Sequence, residues 1–269
     1  MDVSSLLDAL RGCAIIDLEQ PRTTDSPFFP AHRPGYVYSL HRRHEDNTLD
    51  ARTSAAGLIV ASEHAGTHID ALSHQAESLC LYGGLAVTPQ IQTSVGFTEL
   101  GVETIQPLMT RGVLLDVAGL RGAPLPHEYL ISPADLEECE AHQGVQVQHD
   151  DVVLVRTGYG AYWQDPDRYA RAAGGSAAAS QWLVQRRVRA VGCDNFAWDV
   201  PGYRDATTGT TLPGHVLLLV RSGIYILENL YLEELAARRC ATFLFLCLPL
   251  KLVGATGSPV RPLALLPSP

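Results

Sequence analysis

Short, unbroken apolar runs set the pattern of the chain's second half. Asp151-Val-Val-Leu-Val-Arg156 holds four consecutive aliphatic residues and is closed by Thr157-Gly158, a length and boundary that predict a strand buried on both faces. Gly112–Asp116, Ala190–Asp194 and Phe243–Cys247 read the same way. Ser180 to Val188 has apolar residues at helical spacing, so strand, helix and strand succeed one another as in a parallel α/β unit. Ser132-Pro133-Ala134-Asp135 predicts a helix start, with a serine cap and proline at the first helical position. Pro21 to Ala56 breaks the pattern with prolines, arginines and histidines and little periodicity. It predicts an extended arm, about residues 20–56, wrapped over the surface. Thr207–Thr211 reads as a polar loop. With no internal repeat and no linker-like stretch, the expectation is one α/β domain over residues 1–269, a mixed β-sheet packed by helices.

Composition narrows the function classes. The chain has 269 residues, 46% of them hydrophobic, enough to bury roughly 70–75% of the unfolded surface. Lys and Arg number 20 against 29 Asp and Glu, a formal charge of −9, which argues against a general grip on nucleic acid phosphates. The most apolar segment, Ala241–Leu250, is about half of what a membrane span needs. The first twelve residues include Asp2 and Asp8 and lack a basic stretch followed by a long apolar one, so no signal peptide is expected. The six cysteines, Cys13, Cys80, Cys139, Cys193, Cys240 and Cys247, are scattered without a Cys-x-x-Cys pair and read as reduced core residues of a cytoplasmic protein.

The chemistry concentrates in His64-Ala-Gly-Thr-His68-Ile-Asp70-Ala-Leu-Ser-His74, which holds three of the chain's 10 histidines and an aspartate. Imidazole nitrogens and carboxylate oxygens are ligands that zinc and manganese accept, and catalytic sites combine about three protein ligands with an open position. His68 and Asp70, two apart, share a face of an extended segment, and Gly66 lets the backbone bend so that His64 can join them. Asp70 and His74 share a face if a helix begins near Asp70. Spacing alone leaves open a catalytic site, a structural metal site and a surface cluster. His215, after Pro213-Gly214, reads first as a cap of a buried helix. Glu228 stands in the apolar stretch Tyr225–Leu230, where a carboxylate needs a partner such as a cation. Asp194 and Asp199, on either side of Trp198, fit an active-site rim or loop caps equally. His41, Arg42, Arg43 and His44 form a basic patch suited to an acidic substrate group or to simple solvation. Gly158-Tyr-Gly160 lacks the third glycine of a dinucleotide fingerprint, and no Gly-x-Ser-x-Gly elbow is present.

The His64–His74 block resembles the His-x-Gly-Thr-His-x-Asp-x-Pro-x-His signature of the cyclase family of metal-dependent hydrolases, which includes bacterial kynurenine formamidase and isatin hydrolase. Leu72 stands where the signature most often has proline. Arg111–Asp116, Asp151–Gly158, Gly192–Asp194, Leu212–His215 through Ile226–Leu230, and Gly254–Pro262 follow in the family's order. The resemblance implies a swivelling β/β/α fold and a site for one or two divalent ions, Zn2+ or Mn2+, per subunit. It implies that His64, His68 and Asp70 bind the first ion, that Asp70 bridges to a second completed by His215 and Glu228, and that His74 is the acid/base. The implied reaction is hydrolysis of a small-molecule C–N amide bond, in an open N-formyl arylamine or in a cyclic amide or lactone; a non-catalytic binding protein is the further alternative. An aromatic residue of the arm lines the formamidase pocket, with Phe28, Phe29 and Tyr36 as candidates. The family assembles as dimers or tetramers, and the arm suits contact with a neighbouring subunit. Neither nucleic acid nor membrane is an expected partner.

Overall fold

The computed structural model describes residues 2–44 and 51–267. Its strands of three residues or more, in chain order, are β1 (Ala14–Asp17), β2 (Tyr36–Arg42), β3 (Ala56–Ala61), β4 (His68–Asp70), β5 (Leu108–Asp116), β6 (Val152–Arg156), β7 (Ala190–Cys193), β8 (Tyr225–Glu228), β9 (Thr242–Cys247), β10 (Gly257–Pro259) and β11 (Leu263–Leu266). Nine of them form one mixed sheet in the order β1-β11-β9-β5-β6-β7-β8-β4-β10. The centre, β5 to β8, is parallel. Beyond β8 the direction reverses, because β4 runs antiparallel to both β8 and β10.

The aliphatic runs form the sheet because both of its faces are covered. Side chains alternate across a strand, so Val153 and Val155 enter one core with Leu136, Leu183 and Leu218, while Val152 and Leu154 enter another with Ile69, Leu227 and Phe245. The helix Pro133–Gln143 begins at Ser132, whose hydroxyl accepts from Asp135 N while the Asp135 carboxylate accepts from Ser132 N. The helix expected at Ser180 starts earlier, at Ala177, because Ser176 caps it, and spans Ala177–Arg186. Among the described residues no helix is long and apolar enough to cross a membrane.

Two expectations are corrected. The arm is irregular only as far as Gly35; Tyr36–Arg42 then pairs antiparallel with Ala56–Ala61. The alternating apolar and aromatic residues of Tyr36-Val-Tyr-Ser-Leu favour a strand once a partner is supplied; residues 45–50 of the expected arm lie outside the described ones. Among the described residues the cysteines form no disulfide, but only Cys139, Cys193 and Cys247 are buried; Cys13 and Cys240 are half-buried and Cys80 is exposed. Cys80 closes a tight surface turn, its N–H and C=O both bonded to Glu77, so its neighbourhood has no core to enter.

Candidate metal centre

The site lies where the strand direction reverses. His68 and Asp70 share a face of β4, and the antiparallel register sets Glu228 of β8 directly opposite His68. On the other side β10 places Gly257 opposite Asp70. A Cβ on Gly257 would lie 2.7 Å from His64 Cε1 and 3.1 Å from its Nδ1, so the missing side chain is the space that the His64 ring occupies.

The loop bearing His64 is held from several sides. Gly66 adopts φ +68°, a region that side-chain-bearing residues seldom enter. The Arg22 guanidinium donates to the carbonyls of Ala65 and Thr67. The Thr67 hydroxyl donates to Asn229 O (2.6 Å) and accepts from Gln20 N (2.9 Å), and the Asn229 amide donates to Gly66 O (3.0 Å). His68 Nδ1 lies 2.8 Å from Gly66 O, which fixes one ring proton there and turns Nε2 toward the carboxylates. His215, in the helical turn Pro213–His215, is oriented the same way. Asp199 accepts from the backbone N–H groups of Gly214 (2.6 Å) and His215 (3.0 Å) and lies 2.8 Å from His215 Nδ1, turning Nε2 toward the carboxylates.

The arrangement fits a divalent cation. His64, His68, Asp70, His215 and Glu228 are each 5% exposed or less. Among the described residues His64 Nδ1, His68 Nε2 and both Asp70 oxygens make no well-directed hydrogen bond, although such groups rarely go without one when buried; His64 Nδ1 stands 2.9 Å from Asp70 Oδ1. Their separations are informative. His68 Nε2 is 3.5 Å from Asp70 Oδ1 and 3.2 Å from Glu228 Oε2; His215 Nε2 is 3.7 Å from Asp70 Oδ2 and 3.4 Å from Glu228 Oε1. Most are long for hydrogen bonds, but ligands arranged tetrahedrally at ~2.0–2.1 Å from zinc stand about 3.3 Å apart. Asp70 and Glu228 each turn one oxygen toward His68 and the other toward His215, so either carboxylate could serve more than one ion.

The same crowding appears in the proton affinities. Burial is the strongest influence on His68 and works against its charge, but the Asp70 and Glu228 carboxylates outweigh it and raise the pKa to about 10. His215 is raised well above its usual value against burial, by Asp199 and Glu228. Burial depresses His64 to about 4 and lowers His74 as well. Protons on His68 and His215 therefore take up the role for which the carboxylates would otherwise need a cation.

The five residues expected to bind metal thus lie in one buried cluster. His74 stands at its half-buried edge, with its ring centroid 4.1 Å from that of His64 and 6.0 Å from that of His215. It follows a turn rather than sharing a helix with Asp70, its N–H donating to Ala71 O. His64, Asp70 and His74 also bring ligand atoms within 4.8 Å of one another, as do His68, Asp70 and Glu228. Of the aromatic candidates, Phe28 packs over Gly35, Tyr36 opens the hairpin, and Phe29 meets the cluster through a residue that the sequence did not single out, His32. The His32 ring lies 5.9 Å from Phe29 and 4.7 Å from His64. Asp194 serves as a loop cap, accepting from the N–H groups of Thr157 and Gly158; Asp199 supports His215. His41, Arg42 and Arg43 are exposed on the hairpin, and His44 Nδ1 lies 2.6 Å from the Thr53 hydroxyl.

A buried His and carboxylate cluster that could hold a metal ion, at the reversal of a mixed sheet, defines the class of this α/β protein. Residues 16–200 match the Cyclase family, and the chain belongs to it. It is 28% identical over 253 residues to the kynurenine formamidase of Bordetella avium, covering 91% of this chain and 94% of that protein. It is 27% identical over 246 residues to the kynurenine formamidase of Bacillus anthracis, with the same coverage. A crystal structure of a novel cyclase superposes with a TM-score of 0.85 at 28% identity, over 98% of this chain and 90% of that one. Isatin hydrolase A from Ralstonia solanacearum shares the fold, with a TM-score of 0.75 at 22% identity over 99% and 98% of the two chains.

Proposed function

We propose that this chain is a metal-dependent hydrolase that cleaves the carbon–nitrogen bond of a small-molecule amide. The observation that carries the reading is the convergence of four buried atoms that make no well-directed hydrogen bond among the described residues, His64 Nδ1, His68 Nε2 and the two Asp70 oxygens. The likeness to kynurenine formamidases over nine-tenths of the chain supports amide chemistry. His64, His68 and Asp70 would hold one ion, and His215 and Glu228, with Asp70, a second, zinc or manganese. A divalent ion supplies Lewis acidity toward the substrate carbonyl and lowers the pKa of water.

His74 does the proton work. Burial keeps its imidazole neutral at pH 7, so it can accept the proton of the attacking water and return it to the leaving nitrogen. Asp199 holds His215, and Arg22 holds the loop of His64, so the ligands stand ready before substrate arrives. The same chemistry opens an N-formyl arylamine, a cyclic amide such as isatin, or a lactone. Elemental analysis of the purified protein, followed by a turnover screen over formanilides, isatin and lactones, tests the reading. Bound zinc or manganese with hydrolysis of an amide is expected; absence of metal and of all hydrolysis would overturn it in favour of a binding protein of the same fold.

The working unit is a homodimer or homotetramer. Val37, Tyr38 and Leu40 of β2 and Leu58, Ile59 and Val60 of β3 are 41–62% exposed, and cross-strand pairs Val37–Val60 and Tyr38–Ile59 occupy opposite faces. A two-stranded ribbon apolar on both faces is marginal in water by itself, and a second copy would cover it. Light scattering checks this: Tyr38→Asp with Ile59→Lys should yield monomers, and a monomeric wild type at micromolar concentration would exclude it.

A further inference from the structure

His68 and His215 are each oriented by an acceptor that touches Nδ1 directly, Gly66 O and Asp199 respectively. His64 is held differently, through a relay. Its Nε2 lies 2.9 Å from the Thr256 hydroxyl, and that hydroxyl donates to Oε1 of Glu63, the residue immediately before His64. The same carboxylate oxygen accepts from Thr256 N (3.0 Å). Thr256 is fixed from the other side as well, since its carbonyl accepts from Ala71 N (2.9 Å), next to Asp70. Glu63 and Thr256 are both half-buried, while the His64 ring between them and Asp70 is buried.

The hydrogens along this chain of groups can be counted. An ionised carboxylate only accepts, and a hydroxyl has one hydrogen to give. The Thr256 hydrogen goes to Glu63, so the hydroxyl presents only a lone pair to His64. The contact at Nε2 is therefore a hydrogen bond only when Nε2 carries the hydrogen of the ring. A histidine that ligates a metal is neutral and has a single N–H, which leaves a lone pair on Nδ1, 2.9 Å from Asp70 Oδ1. Two lone pairs at that distance repel each other, and a cation that both atoms can reach reverses the sign. His68 and His215 have the opposite arrangement, with the acceptor at Nδ1 and Nε2 turned to the carboxylates.

We propose that Glu63, acting through the Thr256 hydroxyl, is a positioning residue that holds the His64 proton on Nε2 and so makes Nδ1 the metal-ligating atom. This rests on the metal-dependent reading above. A hydroxyl that donates to a carboxylate is a stronger acceptor than a free one, and partners that stand behind a ligand in this way are worth about 10- to 100-fold in metal affinity.

The test locates the proton directly. Protein containing 15N-labelled histidine is observed by long-range 1H–15N correlation at neutral pH, with and without zinc, and the His64 signals are those lost in His64→Gln. Expected in the wild type is a hydrogen on Nε2 of His64. Thr256→Val removes the acceptor there, so the hydrogen should move to Nδ1, beside Asp70, and zinc affinity in a chelator competition should fall about 10- to 100-fold. Glu63→Ala releases the hydroxyl to donate to Nε2 instead and should shift both readouts the same way. Thr256→Ser, which keeps the hydroxyl, should behave as the wild type. A hydrogen on Nδ1 in the wild type, unchanged zinc affinity in either Thr256→Val or Glu63→Ala, or a serine variant no better than valine would overturn the proposal. So would weakened zinc binding with the hydrogen still on Nε2, which would make the pair a prop for the loop. If the wild type binds no zinc, the metal reading fails and the proton alone decides. A move from Nε2 to Nδ1 in Thr256→Val that Thr256→Ser does not share then upholds the relay, and any other result rejects it. Should Thr256→Val not fold, Glu63→Ala carries the same comparison.

Discussion

Gly257→Ala isolates the geometry of the metal centre from its chemistry, because it adds one methyl group and removes no ligand. The backbone at 257 lies outside the left-handed region, so alanine is conformationally acceptable there. The obstacle is His64: the new Cβ would stand 2.7 Å from Cε1 and 3.1 Å from Nδ1, with Ile69 O at 3.0 Å. Regaining an ordinary contact moves the ring by about 0.7 Å, well beyond the ~0.2 Å by which a metal–ligand distance can vary. Displacing one ligand of the set should weaken zinc affinity roughly 100-fold, the upper end of what disturbed ligand orientation costs. Folding stability should change by only about 1 kcal/mol, since the crowding falls on one ring and on the Ile69 carbonyl alone, and alanine stiffens the unfolded chain. Chelator-competition titration reads the affinity and urea unfolding of the metal-free protein reads the stability. The decisive control is the cycle with His64→Ala, in which the effect of Gly257→Ala on zinc affinity should disappear. A full effect in the absence of the His64 ring, or unchanged affinity in its presence, would refute the reasoning.

Three further outcomes follow from the same contacts. His74→Ala should retain its metal while kcat falls about 10²- to 10⁴-fold; loss of metal, measured by elemental analysis, would make His74 a ligand, as its closeness to His64 and Asp70 permits. Asp199→Asn should cost about 10- to 100-fold in metal affinity by loosening the His215 orientation, and an unchanged chelator titration would remove Asp199 from the site. At pH 7 the metal-free protein carries protons on His68, whose pKa is raised to about 10, and on His215, also raised. Both lie above the working pH, so binding expels those protons and affinity rises with pH, about tenfold per pH unit for each proton released. Titration calorimetry in two buffers of different ionisation enthalpy should give different heats; identical heats would contradict the assignment.

The legible parts of this protein are those whose cause is local. Val152–Val155 announces a doubly covered strand because four aliphatic residues in a row can satisfy both faces of a sheet, and Ser132-Pro133 announces a helix because its cap is built from neighbouring residues. The His64–His74 block belongs to the same kind. Two ligands two apart on a strand point one way whatever surrounds them, and Gly66 supplies the bend. The arm was harder. Tyr36–Arg42 becomes a strand only against Ala56–Ala61, a partner from beyond residues 45–50, so its weak periodicity did not separate it from the irregular stretch before it.

What stayed hidden arises from contacts between distant segments. Gly257 carries no sign that its missing Cβ makes room for a ring 193 positions earlier. Asp199 reads as a rim or a cap until the fold sets it 2.8 Å from His215 Nδ1. His215 follows Pro213-Gly214 at a helix start and reads in the sequence as a cap; only the helix's approach to β4 and β8 turns its Nε2 toward Asp70 and Glu228. His32 is the extreme case, since an irregular, proline-rich segment has no face to point. Its position is set by the Gly35–Ser62 hydrogen bond just before His64, and the Arg22 clamp on Ala65 and Thr67 holds the same arm to the same loop. The arm is therefore tied to the ligand loop itself, so a change anywhere from Arg22 to Gly35 should be felt at the metal centre before it is felt in the core.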